Sequence, residues 1–145
     1  MEEPSATQHG VRRPSTVIRP ALEEDCDSLG DLHTLAWQQA YEGLIPQWYL
    51  DGLNPARRAE AWRQILVGAT GTVRLDFDGD TLAGFIGFGP CRDDDATETW
   101  CEVGAIYYLK HYWGSGMAQP LMARACDHLR ESGYRNNIIQ LAQLR

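Results

Sequence analysis

Apolar and polar positions alternate with two different periods along this chain, and the changes of period mark out its elements. Thr16-Val17-Ile18-Arg19 is a short β-branched strand stopped by Pro20, and the acidic run Glu23-Glu24-Asp25 suits the first turn of a helix. Leu29, Leu32, Ala36 and Ala40 then recur at three- and four-residue steps, predicting a helix through to Tyr41 that Gly43 and Pro46 end. Trp48, Tyr49, Leu50 and Leu53 make a short helical segment, and Asn54-Pro55 caps and opens another helix to about Val67. The period then drops to two. Val73, Leu75 and Phe77 alternate with Arg74 and Asp76, Asp78-Gly79 is a hairpin turn, and Leu82 to Gly89 forms the partner strand. Its glycines Gly84, Gly87 and Gly89 weaken a strand unless a bulge or a close neighbour requires them. Arg92 to Thr99 is a polar loop, and Trp100 to Leu109 is a third strand of this group, with Gly104 placed for a bulge. Trp113 to Ala118 is a small-residue turn into an amphipathic helix carrying Met117, Leu121, Ala125 and Leu129 on one face and closed by Gly133. Asn137 to Leu144 supplies a last strand.

At 145 residues, with 43% hydrophobic, 10% aromatic and 23% charged residues, the chain is expected to fold as one α/β (α+β) domain over residues 16–145, behind a loose polar arm over residues 1–15. A net charge of −7 disfavours nucleic acid as a partner. No apolar run is long enough to span a bilayer and the first ten residues lack a signal-peptide core, which points to a cytoplasmic protein with no membrane partner. Cys26, Cys91, Cys101 and Cys126 form no CxxC pair and have no histidine at ligand spacing, so four free thiols and no metal site are expected.

The strand, glycine turn and helix around Trp113-Gly114-Ser115-Gly116-Met117-Ala118 place unclaimed backbone N–H groups at the positive end of a helix dipole, which is an anion site. A P-loop would need Lys and Ser or Thr after the last glycine, where Met117, Ala118 and Gln119 stand, and a dinucleotide motif would need glycine at position 119. Both are excluded.

This stretch resembles the cofactor motif of the GNAT superfamily of N-acetyltransferases, with Gly116 and Ala118 at its two small positions. Glu102 to Ala118 is similar to that family's fourth strand and third helix, Ile18 to Ala21 to its opening strand, and Trp37 to Pro46 to the first-helix exit of one bacterial branch. The resemblance implies a mixed, mostly antiparallel central sheet flanked by helices, with acetyl-CoA as co-substrate. Backbone groups of Ile106, Tyr107 and Tyr108 would pair with the pantetheine arm, and Gly114, Ser115, Gly116, Met117, Ala118 and Gln119 would cradle the pyrophosphate. Glu102 would be the general base, because an ammonium must lose a proton before it attacks. Trp37, Tyr41 and Glu42 would line the amine pocket, with Trp48 beside them and Asp93, Asp94 and Asp95 at its mouth, an acidic and aromatic cleft.

The family's opening Gln or Arg is Trp113 here, and the chain stops before the last helix and strands of the family pattern. The second point implies an open strand edge, inviting dimerisation or strand exchange, or an inactive chain. Two functions follow: acetyl transfer to a primary amine by direct attack in a ternary complex, or a non-catalytic acyl-CoA-binding module.

Overall fold

The computed structural model describes residues 16–90, 101–132 and 138–140, with the side chains of residues 90, 101–104 and 138–140 outside that description. Five strands form one sheet in chain order: β1 (Thr16–Pro20), β2 (Thr72–Asp78), β3 (Thr81–Pro90), β4 (Cys101–Tyr108) and β5 (Ile138–Gln140). The first four are antiparallel neighbours and β5 lies parallel to β4, as expected after a helical crossover. Helices α1 (Cys26–Ala40), α2 (Gln47–Asp51) and α3 (Pro55–Gly68) lie between β1 and β2, and α4 (Ala118–Glu131) follows β4.

Local chemistry accounts for the element ends. The acidic run forms one 3-10 turn, Glu23–Asp25, before α1 begins, because Asp25 is drawn back to Arg19 by two hydrogen bonds of 2.8 and 2.9 Å. Asn54 caps α3 by accepting from the Ala56 amide at 2.9 Å, with Pro55 in the first turn. Helix α4 ends at Ser132, whose hydroxyl bonds the His128 carbonyl, while Gly133 lies outside the described residues.

Alternation along the strands sends side chains to two cores. Val73, Leu75 and Phe85 pack with Cys26, Leu29, Leu32 and Trp62 under α1 and α3. Ile86, Phe88, Ile106 and Tyr108 pack with Met117, Leu121, Ala125 and Leu129 under α4. The sheet is therefore covered on both faces, which is why its central strands read as nearly continuous apolar runs. Cys26 is a buried free thiol and Cys126 is buried; Cys91 and the Cys101 side chain lie outside the description.

Two bulges shape the inner strands. Gly87 faces Ala105 and Phe88 faces Val103, so Gly104 is the extra residue in β4. Ala83 is likewise extra in β3, between the pairs Asp76 with Gly84 and Phe77 with Leu82. Asp76, Gly84 and Tyr108 then lie in one row across three strands. A β-carbon on Gly84 would collide with the Tyr108 ring, so glycine here is the floor on which that ring crosses β3 to reach Asp76.

Candidate functional site

The link from β4 to α4 begins with a 3-10 turn, Lys110–Tyr112, and passes through Gly114 at φ +78° and Gly116 at φ +87°. Both lie in the left-handed region that glycine tolerates, and a β-carbon at either would meet nothing within 4 Å. Open space, not packing, surrounds the turn. Of its amides, Trp113 bonds the Lys110 carbonyl at 3.0 Å, Ser115 bonds the Tyr112 carbonyl at 3.1 Å and Met117 bonds the Ser115 hydroxyl at 3.3 Å. The amides of Gly114, Gly116, Ala118 and Gln119 have no acceptor among the described residues. These four sit at the positive end of α4, a setting that attracts a phosphate-type anion.

Beside the turn, β4 offers an edge that is unpaired among the described residues. The Leu109 amide bonds the Ala83 carbonyl at 3.0 Å, and hydrogen-bonded pairs alternate along an antiparallel ladder. Tyr107 therefore spends its backbone groups on Phe85, while Ile106 and Tyr108 turn theirs to the other edge. Strand β5 pairs with β4 only at Cys101, Glu102 and Val103, so no described strand covers that edge from Gly104 onward. The Tyr108 carbonyl there accepts the Trp113 indole N–H at 2.9 Å, which leaves the Tyr108 amide and both groups of Ile106 facing outward. Trp113 thus braces the turn against the strand.

The Tyr108 hydroxyl anchors the same region from inside the core. It lies 2.6 Å from Asp76 Oδ2 and 3.2 Å from the Met117 carbonyl, at the head of α4. Burial pushes the Asp76 carboxyl above its ordinary range, against the Tyr108 hydrogen bond that lowers it, and the nearby Asp78 adds to the rise. Burial and the Asp76 carboxylate together push the Tyr108 phenol well above its usual value. Removing the hydroxyl as Tyr108→Phe leaves a buried carboxyl without its donor, which costs about 1–3 kcal/mol. The expected result is a lower urea midpoint with an unchanged slope.

On the opposite face of the sheet, the exit of α1 assembles an aromatic cluster. Trp37 and Tyr41 stack with ring centroids 4.5 Å apart, and the Tyr41 and Tyr107 hydroxyls are 3.1 Å apart. Burial, reinforced by Tyr41, pushes the Tyr107 phenol up to about 12. His33 lies one turn before Trp37, buried against Trp62, Phe85 and Tyr107. Its Nδ1 accepts the Trp62 indole N–H at 3.0 Å, and Arg58 Nη1 stands 3.3 Å from its Nε2. Burial first and Arg58 second push its pKa down to about 3.

That depression has a sign. The unfolded chain takes up a proton near pH 6.5 and the folded one only near 3, so His33 favours folding above pH 6.5 and loses that contribution as pH falls between these values. Stability should drop by up to about 1.4 kcal/mol per pH unit in that window. Urea unfolding at pH 7 and pH 5 reads it, and His33→Gln should flatten the difference.

The sequence-predicted residues thus fall into two groups. Gly114 to Gln119 and the edge of Ile106 and Tyr108 lie on one continuous run from β4 into α4. Trp37, Tyr41 and the Tyr107 side chain meet at the α1 exit. Glu42 is exposed in the turn after α1, where it bridges to Ile45. Glu102 holds a backbone position in β4 between Gly89 and Ile139, and its side chain lies outside the description, as do Asp93, Asp94 and Asp95. Reading the sequence missed His33, Arg58 and Asp76. The spacing of His33, Trp37 and Tyr41, four residues apart on one helix face, was the available signal for the first. No described helix is long and apolar enough to cross a membrane, and no group of three or more metal-ligating residues gathers among the described residues.

Among the described residues β5 leaves β4 after Val103, and a glycine turn feeds a helix N-terminus beside the remaining half of β4, in an α/β arrangement. Residues 29–143 match the Acetyltransferase (GNAT) family, and the chain belongs to it. Acetyl-CoA is that family's co-substrate. The chain is 26% identical over 117 residues to the uncharacterized N-acetyltransferase YuaI of Bacillus subtilis, a match covering 81% of this chain and 66% of that protein, just under two thirds of its length. In three dimensions it is similar to the PaiA N-acetyltransferase of Thermoplasma acidophilum in complex with coenzyme A, with TM-score 0.66, 17% identity and coverage of 83% and 75% of the two chains. It is also similar to yncA, a putative acetyltransferase of Salmonella typhimurium with its cofactor acetyl-CoA, with TM-score 0.64, 20% identity and coverage of 88% and 69%.

Proposed function

We propose that residues 16–145 transfer the acetyl group of acetyl-CoA to a primary amine in a ternary complex. The observation that carries this reading is the set of four amides, at Gly114, Gly116, Ala118 and Gln119, that no described residue claims, beside a strand edge that no described strand covers. The amides suit the pyrophosphate, and the Ile106 and Tyr108 backbone suits the amide-bearing pantetheine arm, which would lie along β4 as an added strand. Bound acetyl-CoA supplies an activated thioester. The outward Tyr108 N–H is a fixed dipole for the oxygen on which negative charge develops.

Transfer forms a bond from the amine nitrogen to the acetyl carbon and breaks the carbon–sulfur bond. One proton leaves the amine and one joins the thiolate, so the balance closes without an enzyme-bound acyl group. We assign the first proton to Glu102, placed in β4 two residues before the Gly104 bulge, either directly or through water. Trp37, Tyr41 and Glu42 stand as the amine-side wall. The net charge of −7 supports a small amine over nucleic acid as the acceptor, in the cytoplasm.

Calorimetric titration with acetyl-CoA, followed by thiol release in the presence of an amine panel, tests the reading. Binding and turnover are expected, and Glu102→Gln should lower kcat by about 100-fold or more with acetyl-CoA affinity unchanged. Absence of acetyl-CoA binding removes the reading altogether. Binding without thiol release leaves an acyl-CoA-binding module.

A further inference from the structure

The acceptor side contains donors that meet no acceptor among the described residues. An indole N–H can only donate, so the Trp62 bond fixes the lone pair of His33 on Nδ1, and the neutral ring carries its proton on Nε2. The guanidinium of Arg58 is also donor-only, yet its Nη1 is 3.3 Å from that Nε2. Two N–H groups therefore converge with no acceptor shared between them among the described residues, and His33 is only 7% exposed. Arg19, Arg63 and Arg130 each reach a carboxylate, whereas Arg57 and Arg58 have none among the described residues. Arg58 is nevertheless held in place, with its guanidinium carbon 5.3 Å from the centre of the Trp37 ring.

Arg57 and Arg58 open onto a groove of about 570 Å³ between α2 and α3, lined also by Trp48, Tyr49 and Asn54. Trp48 is 76% exposed and Tyr49 45% exposed, so the aromatic wall is available to a ligand. Among the described residues this side of the acceptor region is basic and aromatic, and the acidic cleft expected from Asp93, Asp94 and Asp95 rests on residues outside the description.

We propose that the groove binds the carboxylate of an amino-acid-type acceptor, so that the amine acetylated by this chain is one that also carries an acid group. Arg58 takes the carboxylate, with His33 behind it and outside the groove lining, Arg57 adds charge at the rim, and the Trp48 and Tyr49 rings flank the substituent. A polyamine would set cations against both arginines. The proposal rests on the acetyltransferase reading, of which it names the substrate class.

The test is calorimetric titration of the chain, with coenzyme A present, with the common α-amino acids and with the amines that lack only their carboxylate. Spermidine is included, and thiol release from acetyl-CoA is read on the same panel. At least one amino acid should bind ten-fold or more tightly than its decarboxylated counterpart, and Arg58→Gln should abolish that preference while coenzyme A affinity stays the same. If no amino acid is preferred over its decarboxylated partner, or if spermidine binds best, the carboxylate site is refuted even where thiol release upholds acetyl transfer. A preference that survives in a folded Arg58→Gln protein refutes it equally. Amino-acid binding without thiol release from any amine leaves the site standing and removes the transferase reading.

Discussion

Substituting valine at Gly116 is expected to lower acetyl-CoA affinity by about 100-fold, or roughly 2.7 kcal/mol, while the fold persists. The affinity falls because the valine methyl groups stand between the incoming anion and the amides of Gly116, Ala118 and Gln119, while the strain of valine at φ +87°, about 1–2 kcal/mol, lowers stability with or without ligand. Because a β-carbon at Gly116 meets no atom within 4 Å, the substitution disturbs no packing in the free protein. Calorimetry with acetyl-CoA should show the affinity loss, and thermal unfolding without ligand should show a modest shift. Unchanged affinity would mean that the anion binds elsewhere and that the four open amides are only a turn.

The second large effect is structural. Gly84→Ala should destabilise the chain by about 3 kcal/mol, far more than one methyl group in an open site. The added carbon occupies the space of the Tyr108 ring, so that ring must leave β3 and with it the hydroxyl contacts to Asp76 and the Met117 carbonyl. Asp76 already has one buried oxygen, Oδ1, without a partner among the described residues, and losing the other partner leaves it wholly unmet. Urea unfolding should give a lower midpoint. Tyr108→Phe combined with Gly84→Ala should cost less than the sum of the two, since both break one contact.

These expectations differ in how far the sequence discloses them. The glycine turn was legible because its chemistry is local: Gly114, Gly116, Ala118 and Gln119 are near neighbours in the chain, and small residues before an amphipathic helix leave amides free wherever the strand and helix pack. The cap at Asn54-Pro55, the turn at Asp78-Gly79 and the bulge at Gly104 were legible for the same reason. Gly84 was visible only as a misfit, a strand glycine needing some close neighbour. Nothing local names Tyr108, 24 positions later, as that neighbour.

The exit of α1 shows the same divide. Trp37 and Tyr41 stand out by type and spacing, but the sequence offers no sign that Arg58 meets His33, because the two are 25 residues apart on different helices. Backbone direction in β4 was equally hidden. Period two tells that Tyr107 and Tyr108 face opposite sides of the sheet, while the choice of which one spends its amide on β3 depends on register, set by the pairing of Leu109 with Ala83.

By itself, then, the sequence determined the order of strands and helices, the glycine turn at the helix head and the family, since each follows from side-chain periodicity or from residues within a turn of one another. Tertiary structure alone decided which strand edge β5 leaves uncovered among the described residues, that Tyr108 ties Asp76 to the head of α4, and that Arg57 and Arg58, with no carboxylate partner among the described residues, border the aromatic groove. Those are contacts between distant segments, fixed by register and helix packing, and a linear pattern carries no record of them until the chain closes on itself.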